Sequence, residues 1–225
     1  MTTAFWETLW LTFQLAATTT FFLILIGIPI AYALAHSRSR WKPWLEALIS
    51  MPLVLPPTVL GFYLLLAFSP RSALGSWLES ALGLQLVFTF PGLVVGSIIY
   101  SLPFMVQPVQ SGFENLPGNL TEAAYSLGKS RWQTLTRVLL PNIKPALLTG
   151  LVLSFAHTVG EFGVILMIGG NIPGHTRVAS IAIYDEVEAL NYGLANQYAL
   201  ALVAFAFFIL VLVYSINRRA TRALL

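Results

Sequence analysis

Five stretches of roughly twenty apolar residues dominate this chain: Leu11–Leu34, Leu48–Phe68, Leu86–Met105, Pro145–Ile168 and Tyr198–Ile216. A helix rises ~1.5 Å per residue, so each stretch is long enough to cross a hydrocarbon layer of ~30 Å. Such a chain cannot wrap one core in water. Only 9% of its residues are charged, and its mean hydropathy is +0.78, where a soluble domain has about 25% charged residues. The expected class is an all-α polytopic membrane protein, a single permease-like domain over 1–225 seated in a lipid bilayer with five transmembrane helices. Residues 1–8 hold no basic segment ahead of the first run, so no cleavable leader is expected. A sixth crossing is not expected between 169 and 195, where Arg177, Asp185, Glu186 and Glu188 fall.

Lysine and arginine set the orientation. Arg38, Arg40 and Lys42 follow the first run, Lys129, Arg131, Arg137 and Lys144 follow the third, and Arg218, Arg219 and Arg222 follow the fifth. The other side holds only Arg71 and Arg177. The expected topology therefore has the N-terminus outside, the C-terminus in the cytoplasm and segment 107–144 cytoplasmic. These flanking positions also account for the pI of 9.3 without a nucleic-acid partner. The chain has no cysteine, which removes disulfides and thiolate metal sites from consideration.

The runs are polar and broken inside. The first carries Gln14, Thr18, Thr19, Thr20 and Pro29, and the third carries Pro91 and Pro103. Single prolines are expected as kinks whose freed carbonyls neighbouring helices satisfy. Pro56-Pro57-Thr58 differs: two adjacent prolines free two carbonyls beside a hydroxyl, which suits a wall facing water or a polar solute. In the fourth run His157 and Glu161 stand four apart, on one face of a continuous helix. An acid inside a span is either a functional group facing a cavity or a packing group bonded to a neighbouring helix, and both readings stand here. A metal site is not expected, because no third ligand is at hand. The regions around Trp77 and Glu79 and over 169–195, including a helix-like Tyr184–Leu190, are connectors or the surfaces open to an outside partner.

The longest polar-rich stretch is EAAYSLGKSRWQTLTRVLLP, Glu122–Pro141. Asn119 with Glu122 reads as a capping box opening a helix over Leu120–Leu127, and Gly128 reads as its left-handed stop. Ser130 with Gln133 reads as the cap of a second helix that runs through Trp132, Leu135, Val138 and Leu139 to Pro141, a stiff lead-in to the fourth run. From composition alone, an amphipathic helix lying on the bilayer is the favoured reading.

The spacing resembles the EAA motif of bacterial ABC importer permeases, E-A-A-x3-G-x9-I-x-L-P: Glu122-Ala123-Ala124, Gly128, Leu140 and Pro141 match, and Val138 replaces Ile. MPLVLPPTVLGFYLL (51–65) and GEFGVILMIGGNIPG (160–174) are similar to the molybdate permeases, next to their sulfate relatives. The resemblance implies a type I ABC importer permease fold in the bacterial inner membrane, working as two copies of this chain. It implies docking of Glu122, Ala123, Ala124, Gly128, Arg131, Leu140 and Pro141 on two ATP-binding subunits, and delivery of an oxyanion by a periplasmic binding protein. The chain has no G-x-x-x-x-G-K-[ST] phosphate loop, so ATP and Mg²⁺ are expected on the partner, with no cofactor on this chain and no catalytic residue. The path between copies is expected near Pro56, Pro57, Thr58, Ser154, Thr158 and Glu161, with His157 or a backbone amide as a partner for Glu161. Molybdate is the implied substrate, with tungstate or sulfate/thiosulfate as alternatives. A membrane-embedded enzyme using Glu161 and His157 and a passive channel are the other classes, and neither explains the 122–141 pattern.

Overall fold

A computed structural model describes residues 3–222, with side-chain surroundings over 3–211. Among these residues the chain is helical without strands: α1 (Thr3–His36), α2 (Lys42–Val54), α3 (Pro57–Phe68), α4 (Ala73–Leu82), α5 (Phe90–Glu114), α6 (Asn119–Ser126), α7 (Arg131–Thr134), a π-helical turn (Leu135–Leu139), α8 (Leu140–Asn142), α9 (Lys144–Gly160), α10 (Gly163–Gly169), α11 (Ala179–Glu188) and α12 (Tyr192–Arg222). Arg218, Arg219 and Arg222, used above for orientation, lie outside the residues whose side chains are described.

Helices α1, α5 and α9 form the trunk. α5 runs parallel to α1, and α9 runs antiparallel to α5. A Cβ on Gly27 of α1 would stand 2.6 Å from Met105 Cγ, and one on Gly112 of α5 would stand 2.6 Å from Ala146 Cβ. Without a hydrophobic drive between helices in lipid, close backbone approach of this kind supplies the association through packing. Leu23, Leu34, Met105, Val109 and Phe113 fill the trunk near the C-terminal end of α1, and Leu139 and Ile143 join them there. At the other end Phe5 and Leu9 meet Ala179, Ala182 and Tyr198, which seats α11 and α12 on the start of α1. The helix pair α6–α7 and helix α11 therefore lie at opposite ends of the trunk.

Three helices are long and apolar enough to cross a membrane, α1, α5 and Tyr192–Val211 of α12, and the number rises to five if each of two bent pairs counts as one span. The second run (48–68) is not one helix. α2 and α3 meet at 111°, because the rings of Pro56 and Pro57 remove two amide donors and force extended backbone at Leu55 (ψ 137°) and Pro56 (ψ 133°). The fourth run (145–168) is also divided: α9 stops at Gly160, and α10 begins at Gly163. The stiff lead-in is corrected too, since Arg131–Asn142 and Lys144–Gly160 meet at 78° around Ile143. Pro29 and Pro103 sit inside unbroken helices. Pro91 falls in the first turn of α5, where its missing donor costs nothing, so the third run turns helical only from Phe90 rather than from Leu86.

All six tryptophans are exposed. Trp6, Trp10 and Trp77 lie towards the N-terminal end of α1, and Trp41, Trp44 and Trp132 lie towards its C-terminal end. Two such girdles are the distribution expected at two membrane–water interfaces.

Candidate functional site

Two regions carry polar chemistry, one at the C-terminal end of α1 and one inside the helical body. In the first, α6 opens at Gly118 with no side-chain cap, so Asn119 is its first helical residue rather than its cap and the expected capping box with Glu122 does not form. Glu122 instead lies exposed in the first turn, where its charge suits the helix dipole. The stop is as expected: Gly128 has φ +73°, Gly128 N–H donates to Tyr125 O (2.9 Å) and Lys129 N–H donates to Ala124 O (3.1 Å), the paired bonds of a Schellman motif. The Ser130–Gln133 capping box is present in both directions. Ala123 is exposed, and Ala124 is buried beneath it. Arg131 lines a recess of about 580 Å³ with Tyr32, His36, Tyr125, Trp132 and Leu135. Leu140 packs against the trunk, and Pro141 is exposed. The π-helical turn at Leu135–Leu139 lies inside the motif and shifts the helix register there.

Beside this end, α2 is fastened to α5. Lys42 Nζ donates to Glu114 (2.8 Å), and Gln110 Nε2 donates to Glu46 (2.5 Å) and Glu114 (3.0 Å). α5 has 25 residues, more than the ~20 a bilayer needs, and Glu114 lies exposed in its last turn. The bonds from Gln110 and Lys42 hold the Glu114 carboxyl below its ordinary value, and the bond to Glu114 raises Lys42.

The second region is a cavity of about 420 Å³ where the two broken runs meet, walled by Pro57 and Thr58 of α3, Tyr100 of α5, His157 of α9, and Glu161 with Phe162 at the α9–α10 break. Helices α3 and α10 pack in almost backbone contact. A Cβ on Gly163 would stand 2.7 Å from Pro57 Cβ, and a Cβ on Gly61 would stand 2.8 Å from Met167 Cβ. Larger residues at either place would push the cavity walls apart.

Among the expected path residues, Pro57, Thr58 and Glu161 come together here. Pro56 is exposed just outside, its carbonyl accepting from Val59 N–H (2.9 Å). Ser154 and Thr158 do not reach the cavity: both are fully buried against α5, with Thr158 Oγ1 donating to Ser154 O (2.9 Å) and lying 3.2 Å from Ser101 Oγ. His157 Nδ1 is 2.9 Å from Ser101 Oγ, and its ring lies between Phe104 (4.0 Å) and Tyr100 (4.7 Å). No hydrogen bond joins it to Glu161, whose backbone has left the helix (ψ 137°), so the shared-face argument fails at this residue. Both carboxyl oxygens of Glu161 are buried without a hydrogen-bond partner, as is Ser97 Oγ, while its backbone carbonyl accepts from Ser180 Oγ.

Sequence reading passed over Ser97, Tyr100 and Ser101. Their spacing of three and four marks one polar face on an apolar helix, and that pattern could have found them. Ser180 carries no comparable signal. Among the described residues no three His, Cys, Asp or Glu side chains converge as metal ligands would.

The family model described as binding-protein-dependent transport system inner membrane component matches residues 13–222. The chain is 49% identical over 209 residues to the molybdenum transport system permease protein ModB of Azotobacter vinelandii, covering 92% of each. It is 35% identical to the putative molybdenum transport system permease protein YvgM of Bacillus subtilis, covering 89% of this chain and 88% of the relative. It is also 35% identical to the sulfate transport system permease protein CysT of Escherichia coli, covering 87% of this chain and 69% of the relative. Among solved structures it is similar to a bacterial ABC transporter involved in the import of the acidic polysaccharide alginate (TM-score 0.80, 19% identity, 97% of this chain and 80% of that one). It is likewise similar to the MetNI methionine ABC transporter in an inward-facing conformation (TM-score 0.72, 19% identity, 97% and 99%). At these identities the structural likeness establishes the fold, that of type I ABC importer permeases. The chain belongs to the binding-protein-dependent transport system inner membrane components: it is the permease of an ABC importer and not an enzyme.

Proposed function

We propose that this chain carries molybdate inward across the bacterial inner membrane. The observation that carries the substrate is its greater identity to a molybdenum permease, with nearly full coverage of both molybdenum relatives and only partial coverage of the sulfate one. Two copies enclose the path. Each crosses the membrane five times, N-terminus outside, with α2–α3 and α9–α10 each making one crossing. The alternating helix directions and the two tryptophan girdles support that topology. Glu122–Gly128, with Arg131, Leu140 and Pro141, docks on an ATP-binding subunit that uses ATP and Mg²⁺, while this chain binds no cofactor. A periplasmic binding protein delivers the oxyanion at the α11 end. Pro57 and Thr58 then offer it a polar wall, and Pro56 lies at the mouth. Thr158 serves the path from behind, by tying α9 to Ser101 of α5, and Ser154 lies buried one turn before it. Glu161 faces the solute only at the helix break.

Sulfate or tungstate import is the second reading, because the sulfate relative is as identical to this chain as the second molybdenum relative is. ATP-dependent uptake by the chain with its ATPase and binding protein separates them: molybdate uptake unaffected by excess sulfate is expected, and uptake of sulfate without molybdate would overturn the first reading. For the docking surface, Glu122→Lys and Gly128→Asp should leave the chain inserted but uncouple ATP hydrolysis from uptake. Gly128→Asp also places a side chain where φ is positive. Normal uptake by both variants would contradict docking at α6.

A further inference from the structure

We propose that α11 is a clamp holding the α9–α10 break, with Ser180 and Tyr184 as positioning residues for the cavity wall. α10 has only seven residues, too few to persist as a helix without outside support. α3 and α5 pack along its length and Phe88 N–H donates to Ile168 O (2.8 Å), while the segment 176–184 bonds the backbone at both of its ends. At the entry to α10, Ser180 Oγ donates to the carbonyl of Glu161, and the ring of Tyr184 lies against Phe162 (5.2 Å between centroids). Ser180 and Tyr184 are four apart on α11, so they share a face. At the far end of α10, Thr176 Oγ1 donates to Gly169 O (2.6 Å) and accepts from Ile172 N–H (2.9 Å). Carbonyls at a helix end have no intrahelical donor, and two hydroxyls four residues apart satisfy one on each side of α10.

The clamp is itself anchored. Ala179 N–H donates to Thr12 Oγ1 of α1 (2.8 Å). Arg177 pairs with Asp185 and Glu186 (both 3.3 Å), and Asn171 donates to Asp185 (2.8 Å). The connector after α10 is thus tied to α11. The opposite side of α10 presents Gly163 to Pro57 and Thr58, so any displacement of α11 is delivered to the cavity wall. This rests on the proposed function only in taking the α11 end as the outward one, where the binding protein arrives.

The test uses the whole transporter in proteoliposomes with its ATPase subunit, its binding protein and molybdate. In Ser180→Ala and Tyr184→Ala, ATP hydrolysis without binding protein should stay near wild type. Its stimulation by loaded binding protein should fall at least about fivefold, the equivalent of one lost hydrogen bond or ring contact. Ser180→Thr and Tyr184→Phe should restore it. Unchanged stimulation in both alanine variants, or no rescue by the conservative ones, would overturn the clamp. A second measurement uses the absence of native cysteine. A Phe162→Cys/Tyr184→Cys pair should cross-link on oxidation without reducing uptake below that of the same vesicles after reduction, since α10 and α11 move together. Failure to cross-link, or uptake blocked by the cross-link and restored by reductant, would contradict it. The wild-type arm alone reports on molybdate import, and the variant arms alone report on the clamp.

Discussion

Two of the helix breaks wall the cavity, one at Leu55–Pro56 and one at Glu161–Phe162, and they are made by different means. The first is written locally. Two adjacent prolines remove consecutive donors, and the helix before them ends whatever surrounds it. The second contains no proline. Gly160 and Gly163 weaken the helix there, but single glycines cost only about 1 kcal/mol each, and α1 and α5 run unbroken through Gly27 and Gly96. What the second break has and those positions lack is an outside partner for the freed backbone, Ser180 on the Glu161 carbonyl, with the Tyr184 ring packed on Phe162 beside it. A locally encoded break is a fixed feature of the wall. A break held by another helix is one that helix can adjust. The cavity lies where the fixed wall meets the adjustable one.

The sharpest way to disturb this arrangement is to force the two walls apart. Gly163→Val places a branched side chain against Pro57. Overpacking costs about 1–3 kcal/mol, so uptake by the importer should fall about tenfold or more while the protein still inserts. The next effect belongs to the fixed break. Pro56→Ala/Pro57→Ala restores both amide donors and lets α2 run on, and uptake should fall about fivefold, the rate equivalent of ~1 kcal/mol. Glu161→Gln keeps the backbone carbonyl that the clamp uses, so uptake should stay within about threefold, on the scale of one modest hydrogen bond. The smallest effect concerns the latch that holds α2, below the fixed break, to α5. The Glu114 carboxyl is held below its ordinary value of 4.5, so its contribution is complete above that pH and is lost as pH falls through the lowered value. Lys42 is raised above 10.5, so its contribution is complete below that pH and is lost at more alkaline values. Glu114→Gln should therefore lower the melting temperature slightly and by a constant amount across neutral pH, with the difference from wild type closing in acid and in high salt.

Much of the fold can be read in the sequence, because apolar length and basic flanks are local statistics. The same holds for the α6–α7 pair, where Gly128 and Ser130 act through bonds to residues within five positions. The error at Asn119 is of the same local kind: Asn and Gly both cap helices, and Gly118 took the place. The site was legible in its fixed half, Pro57-Thr58, and in Glu161, whose charge stands out among apolar neighbours. It was not legible in Ser180 or Tyr184, which look ordinary in a polar connector and matter only through a contact nineteen or more positions away in the chain. Ser154 and Thr158 were assigned to the cavity from composition, but hydroxyls in a helix also bond inward: Thr158 Oγ1 meets Ser101 on the facing helix, and the Ser154 hydroxyl is buried without a partner.

The difference between the breaks can be measured directly as a distance. Spin labels at Leu153→Cys and Ile172→Cys span the second break, and labels at Met51→Cys and Tyr63→Cys span the first, all at exposed positions in a cysteine-free chain. Combining each pair with Ser180→Ala/Tyr184→Ala should broaden or shift the distance across the second break and leave the first unchanged. Identical distributions across the second break with and without the clamp residues would contradict the account.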